Sequence, residues 1–408
     1  MDNNIFKWDH FSDQPHVLRD KSLRKKIYKK AFKDIIKTLI INIALFPIIV
    51  VRFGYALFEK RKQNSNNFFA MGVNLDKEPI KSPSLIKELG VENILIRLPL
   101  SDIENLSEYK NFIDSFKKCN ILINILQDRK HIEDKELLRN SIFAIFSTLN
   151  VKEYQIANAI NRKKWAFFTM DEYLIFYQTI QEIRDRHFPH IKLIGSSVID
   201  FEYHFSVRTL FNLYKVHYDK FSTLLYVDRR GSPQNRQMGF DLIKKIKLLY
   251  SIVKLSPKSE NKIVITETNW PISNTAPYAP TSEKECVSLE KYAHYMVQYH
   301  LMALSTGMVE KIYWHQLVAP GYGLIDNRDG IKKYPAFYAY KTMVRLLKDT
   351  WLENFDFTGK IKYMKFTKNN ETIEVFWSDT NDLKYKKSNQ IYSIYGEKCE
   401  DGSFMSTK

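Results

Sequence analysis

The sequence predicts an α/β protein built on a (β/α)8 barrel, with a basic and apolar helical segment before it and a small β appendage after it. Three observations lead there. Eight short runs rich in Ile, Val and Leu recur between Phe68 and Leu347, a span of about 280 residues that suits such a barrel. The runs are almost continuously hydrophobic, as parallel strands buried on both faces are. Each is followed by a stretch with the periodicity of an amphipathic crossover helix.

The first run, "FFAMGVNL", is followed by a helical stretch around Ser84 to Leu89. "ENILIRLPL" precedes a helix predicted across Glu108 to Lys118, and "NILINILQDR" precedes "DKELLRNSIFAIFSTL". "EYQIANAI" leads to "TMDEYLIFYQTIQEIRDRHF", and "KLIGSSVIDF" to a helix near Val207 to Val216. "FSTLLYVDRR" is followed by "GFDLIKKIKLLYSIV", and "KIVITETNW" by "EKECVSLEKYAHYMVQYHLMALSTG". The last pair is "KIYWHQLVAP" and "YPAFYAYKTMVRLLKD". A doubly wound sheet would carry a Gly-rich phosphate turn after its first strand, and "GVNLDKEP" is not one. "GYGLID" has glycines but no strand-to-helix context, so it predicts no nucleotide site.

These runs divide the chain into residues 1–66, a membrane-associating segment, 67–350, the barrel, and 351–408, the β appendage. In the appendage "IKYMKFTKNNETIEVFWSD" reads as two strands with a turn at Lys368 to Glu371, and "NQIYSIYG" as a further strand. The three cysteines, Cys119, Cys286 and Cys399, have no metal-ligand spacing and form no disulfide framework. No metal or cofactor is expected.

The net charge of +16 is concentrated. Residues 19–37 hold nine Lys or Arg against Asp20 and Asp34, a local surplus of +7. Such a block predicts an anionic partner. It shows no nucleic-acid motif, so nucleic acid is not the expected one. Thr38 to Val51, "TLIINIALFPIIVV", follows at once and is uncharged. It is too short to span a bilayer, which takes roughly 20 residues, and extension to Phe58 takes in Arg52. A signal anchor, an interfacial helix kinked at Pro47 and a buried helix of the barrel are the three readings. Because the charge block adjoins the apolar run, residues 19–58 are expected to meet an anionic membrane surface, at a bacterial inner membrane.

The residues that point to chemistry lie at the C-terminal ends of the strands, where parallel barrels place their sites. Glu267 ends the seventh run, bringing a carboxylate to the end of an otherwise buried strand. At the same level stand Arg97, Asp128, Asn158, Asp200, Glu202, Tyr226, Asp228 and Trp314. Such a rim suits a polar, ring-shaped ligand, with Trp314 and Trp270 available to stack on a sugar face. If Trp314 points inward, strand alternation turns His315 away.

This pattern resembles the retaining glycosidases of clan A, over roughly Phe68 to Leu347. The likeness rests on Glu267 in "ITETNWP", Arg97 in "ILIRLPL", Tyr226 on the sixth strand and Trp314 on the eighth. The resemblance implies that Glu267 is the nucleophile, that Arg97 orients and ionises it, and that Asn158 holds a sugar hydroxyl. Tyr226 and Trp314 would shape the sugar subsite. The clan's fourth strand carries an asparagine–glutamate pair, the glutamate being the general acid/base. Here "YQIANAINRKKW" has Asn158 followed by Ala159. General acid assistance supplies about 10²- to 10⁴-fold, and an alanine supplies none. The expected function is therefore a glycosidase-type protein acting on a cell-envelope polysaccharide or lipid-linked glycan. Transfer from an activated donor and an inactive glycan-binding scaffold are the alternatives.

Overall fold

The computed structural model describes residues 6–227, 231–378 and 391–399. Eight parallel strands close into a barrel: β1 (Phe69–Val73), β2 (Asn93–Pro99), β3 (Asn120–Leu126), β4 (Glu153–Ile156), β5 (Lys192–Ile199), β6 (Lys220–Leu224), β7 (Ile263–Ile265) and β8 (Val309–Trp314). β8 pairs with β1 through Ile312↔Phe69 and β7 through Ile263↔Val309, which completes the ring. Inward residues alternate with outward ones, as a pleated strand requires. Ala70, Leu95, Leu122, Ile194, Val264 and Tyr313 form a separate buried cluster along the barrel axis. Their outward neighbours join the larger core under the helices. This is the (β/α)8 architecture that the eight repeats predict.

The N-terminal helix α1 (Lys21–Phe58) lies outside the ring. The crossover helices are α2 (Ser82–Leu89), α3 (Leu106–Asp114), α4 (Lys135–Leu149), α5 (Met170–His187), α6 (Tyr203–Leu210), α7 (Leu242–Lys254), α8 (Leu289–Ser305) and α9 (Pro335–Leu347). Capping fixes several starts. Asp134 accepts from the Glu136 and Leu137 N–H groups, Thr169 from Glu172 N, and Asp241 from Lys244 N. Two predicted helices are displaced. α3 begins earlier than Glu108 and ends at Asp114, where the chain turns to enter β3. α6 spans Tyr203–Leu210 rather than Val207–Val216.

α1 runs unbroken through Pro47 and packs on α6 and α7. By length and composition it is the one helix among the described residues able to cross a membrane. It is not a core helix, since only 17% of its most apolar stretch is buried.

After the barrel, β9 (Trp351–Asp356), β10 (Ile361–Lys368) and β11 (Glu371–Ser378) form an antiparallel sheet whose fourth member is Gln63–Asn64. Asn369 and Asn370, both at positive φ, make the two-residue turn between β10 and β11. β9 is an addition to the two predicted strands; "WLENFD" has five exposed positions and so lacks a hydrophobic signature. Met364, Phe366 and Trp377 tie the sheet to the main core.

Candidate active site

Glu267 sits just beyond β7, 8% exposed, at the C-terminal mouth of the barrel. Three side chains from three other strands converge on its carboxylate. Arg97 of β2 donates Nη2 to Oε2 and forms a buried ion pair with it. Tyr226, just past β6, donates its hydroxyl to Oε1 at 2.6 Å. Asn158, just past β4, donates Nδ2 to Oε2 at 3.3 Å. Asn158 is itself fixed, because its backbone N–H donates to Gln127 Oε1 at 3.0 Å and its side-chain oxygen faces Asn124 Nδ2 at 3.3 Å. Gln127 in turn donates to the Asn158 and Trp165 carbonyls.

Burial alone would raise the Glu267 pKa. The Arg97 charge and the hydrogen bonds from Tyr226 and Asn158 override it and bring the carboxyl down to about 2. It is an anion at every physiological pH. His315 behaves oppositely: burial, reinforced by Arg97, lowers its pKa to about 3, so it faces the site as a neutral imidazole. A depressed carboxyl stabilises the fold above its unfolded value of about 4.3, and that stability is lost as pH falls through about 2. The amount is on the order of 3 kcal/mol. Denaturant unfolding between pH 5 and pH 2 is expected to show this loss, and Glu267→Gln to lack that part of it. Identical pH profiles for the two proteins would refute the assignment.

The cavity beside Glu267 measures about 110 Å³, well under the 300–1,000 Å³ of an open ligand pocket. The reason is an N-terminal hairpin, Trp8–Asp9 paired with Gln14–Pro15, that roofs the mouth. Its turn carries Ser12, Asp13 and Gln14 into the cavity wall. The Asp13 carbonyl accepts from Arg97 Nη1 at 3.2 Å. Its carboxylate accepts from Gln316 Nε2 at 3.0 Å and from the Tyr322 hydroxyl at 2.9 Å, with Lys77 at 3.3 Å. Burial raises the Asp13 pKa despite Lys77. Lys164 donates to Gln14 Oε1 at 2.6 Å, and Trp8 packs edge-on against Trp165 at 5.7 Å.

Arg97, Tyr226, Asn158 and Glu267 thus form one cluster. Asp200 lines the same cavity, paired with Arg162. Glu202 is drawn off to Arg162 and Asn161 and does not line it. Asp128 is spent on a helical turn, where it accepts from the His131 N–H at 2.9 Å and pairs with the His131 ring. Asp228 lies outside the described residues.

The two tryptophans require correction. Trp314 and Trp270 are 0% and 1% exposed and stack on each other at 6.0 Å, behind the cavity wall. Tyr313 belongs to the axial cluster, so alternation sends Trp314 outward, where its Nε1 donates to the Tyr292 hydroxyl at 2.8 Å. His315 then faces inward and lines the cavity. The tryptophan that lines the cavity is Trp165.

Sequence reasoning passed over Asp13, Gln14, Arg162, Lys164, Trp165, Asn269 and Tyr322. Two signals were available. "NRKKW" begins five residues after the end of β4, and the glycines around Tyr322 permit close packing: a Cβ on Gly321 would lie 2.1 Å from the Tyr278 carbonyl oxygen. Nothing in the sequence announces that residues 12–14 reach the barrel mouth.

No protein-family model and no curated protein matches the sequence. Solved structures do match the fold. A family 39 glycoside hydrolase from the gut symbiont Bacteroides cellulosilyticus WH2 aligns with a TM-score of 0.55 at 14% identity, over 77% of this chain and 71% of that one. A GH30 endoxylanase from Clostridium papyrosolvens C71 gives 0.53 at 11% identity, over 79% and 83%. A GH39 β-xylosidase from Caulobacter crescentus gives 0.51 at 12%, over 76% and 79%. At these identities the likeness is one of fold, the closed eight-stranded parallel barrel described above.

Ala159 is buried at positive φ and packs with Leu126, Trp165, Leu224 and Tyr226. It is fully buried behind Trp165 and Tyr226 and does not itself line the cavity. The carboxylates lining the cavity among the described residues are Asp13, Asp200 and Glu267, contributed by the N-terminal hairpin, the end of β5 and the end of β7.

Proposed function

We propose that the chain is a retaining glycosidase-type enzyme with Glu267 as nucleophile. The observation that carries this reading is a buried carboxylate at the barrel mouth, held by Arg97, Tyr226 and Asn158. Those three donors fix the carboxylate in place. In the reaction Glu267 forms a bond to the anomeric carbon while the bond to the leaving oxygen breaks and takes its electron pair with it. Water then displaces the glutamate, or a second sugar hydroxyl does so in a transfer reaction. Asn158 and Tyr226 stand beside the reacting carbon, Asn158 positioned for a neighbouring sugar hydroxyl.

The alanine at position 159, buried among Leu126, Trp165, Leu224 and Tyr226, bears on the leaving group. With no carboxylic acid there, the reaction favours a group that departs as a stable anion, such as the phosphate of an activated glycosyl donor. The substrate in this proposal is a cell-envelope polysaccharide or a lipid-linked glycan. The enzyme is held at the membrane, at a bacterial inner membrane, by the N-terminal segment of residues 1–66. Residues 67–350 form the catalytic barrel, and residues 351–408 the appendage. The basic block of residues 19–37 and the exposed apolar surface of α1 support the membrane part.

The test is covalent trapping. Incubation with a panel of 2-deoxy-2-fluoro glycosyl fluorides is expected to add one glycosyl mass, mapped to the peptide containing Glu267. Fluoride leaves without a proton, so Ala159 is no obstacle. No adduct across a broad panel, with glycan binding still measurable, would replace the enzyme with a glycan-binding scaffold, and an adduct elsewhere would take the nucleophile role from Glu267.

A further inference from the structure

We infer that α1 is an in-plane docking surface for an anionic lipid leaflet, lying flat in the headgroup region while it remains packed on the barrel wall. This deepens the membrane attachment proposed above and does not depend on the glycosidase chemistry.

The face of α1 turned to the barrel is fastened along its length. Leu23, Ile27, Ala31, Asp34, Thr38, Ile49 and Ala56 are buried. Asp34 accepts from the Met170 N–H at the start of α5 at 2.7 Å and pairs with Arg208 of α6. Lys30 and Lys37 each reach a carboxylate of α5, Glu172 and Asp171, at 2.7 Å. Further along, Asn42 donates to the His204 carbonyl at 3.0 Å, Phe53 packs on Phe240 at 5.6 Å, and Lys247 donates to the Leu57 carbonyl at 2.8 Å. A helix so fastened cannot cross a bilayer alone. It would draw Asp171, Glu172, Arg208 and Lys247 into hydrocarbon, where each ionised group costs several kcal/mol.

The opposite face is bare. Ile36, Leu39, Ile40, Ile43, Phe46, Val50, Val51 and Phe58 are between 41% and 86% exposed. At 1.5 Å per residue the stripe from Ile35 to Phe58 is about 36 Å long, and it bears no charge on that face. Helical periodicity brings Lys21, Lys25, Lys29 and Lys33, all exposed, onto the same side one to four turns earlier. One surface therefore presents a cationic N-terminal half and an aliphatic C-terminal half. Anionic headgroups attract the lysines and the acyl boundary accepts the aliphatic residues, a combination that fits a neutral protein partner less well. The loops joined to α6 and α7 add exposed Leu213 and Met238.

The experiment uses the full chain and sealed phosphatidylcholine vesicles with or without phosphatidylglycerol. Flotation is expected to recover the protein with the anionic vesicles, less of it at high salt. Ile43→Asp with Phe46→Asp, both fully on the bare face, should weaken binding by about tenfold or more without lowering thermal stability. A Lys21→Cys/Lys60→Cys variant then reports the geometry through an impermeant maleimide, with labelling at these two positions read by peptide mass mapping. Molecules labelled at both ends in sealed vesicles support the flat arrangement. Molecules labelled at one end only would show a spanning helix and overturn it. No flotation with either vesicle, or a dimer dispersed by the two aspartates, would overturn lipid docking itself and leave the trapping experiment untouched.

Discussion

Replacing Glu267 with glutamine is expected to abolish turnover of any substrate identified by trapping, by on the order of 10⁴- to 10⁶-fold, as loss of a covalent nucleophile does. Glutamine keeps the shape and can still accept from Tyr226, but it cannot attack the anomeric carbon. The same change leaves Arg97 buried beside a neutral amide, so the variant should also be less stable. Rate and fold must be measured together. A folded Glu267→Gln protein with turnover within tenfold of wild type would remove Glu267 from the nucleophile role. Glycan binding that persists while turnover vanishes would match the proposal.

Arg97→Met is expected to be the most destabilising single change at the site, by about 3–5 kcal/mol. It leaves the Glu267 carboxylate, 8% exposed, without its counter-charge, and it strips the Asp13 carbonyl of a donor. Burial then dominates, and the Glu267 pKa should climb from about 2 to above the ordinary carboxylate range. Combining Arg97→Met with Glu267→Gln removes both charges and should recover much of the loss. Denaturant unfolding of wild type, both single variants and the double closes the cycle. Additivity within about 0.5 kcal/mol would mean that the two residues do not stabilise each other.

The barrel was legible because its signal is periodic and repeated. Eight near-continuous aliphatic runs, each with a helix behind it, leave few other ways to bury that much surface. Glu267, Arg97, Asn158 and Tyr226 were legible for a related reason. Polar residues at the ends of buried strands in a closed parallel ring must meet at one mouth. Trp314 shows the limit. Its strand position was evident, but its face depended on parity, and parity is set by which of two adjacent large aromatics, Tyr313 or Trp314, the axis accommodates. Asp200 and Glu202 differ for another reason, their side-chain partners. They share a strand end and both pair with Arg162, yet Glu202 is also held by Asn161 and lies outside the cavity wall. Asp13 was illegible altogether. A contact between residue 13 and residues 316 and 322 has no local signature, and its hairpin is only two residues deep on each side.

That hairpin has a practical side. The roof of the cavity and the apolar helix belong to one continuous stretch of chain, with only His16 to Asp20 between the second strand of the hairpin and the first residue of α1. Five residues reach at most about 17 Å, so neither part can be displaced far without carrying the other. Cutting the chain ahead of β1 to obtain a more tractable protein would also excise Ser12, Asp13 and Gln14, remove the carbonyl that Arg97 holds, and leave the barrel mouth unroofed. Such a fragment would have a wider, more acidic-poor opening than the whole chain. Measurements made on it would describe a different site.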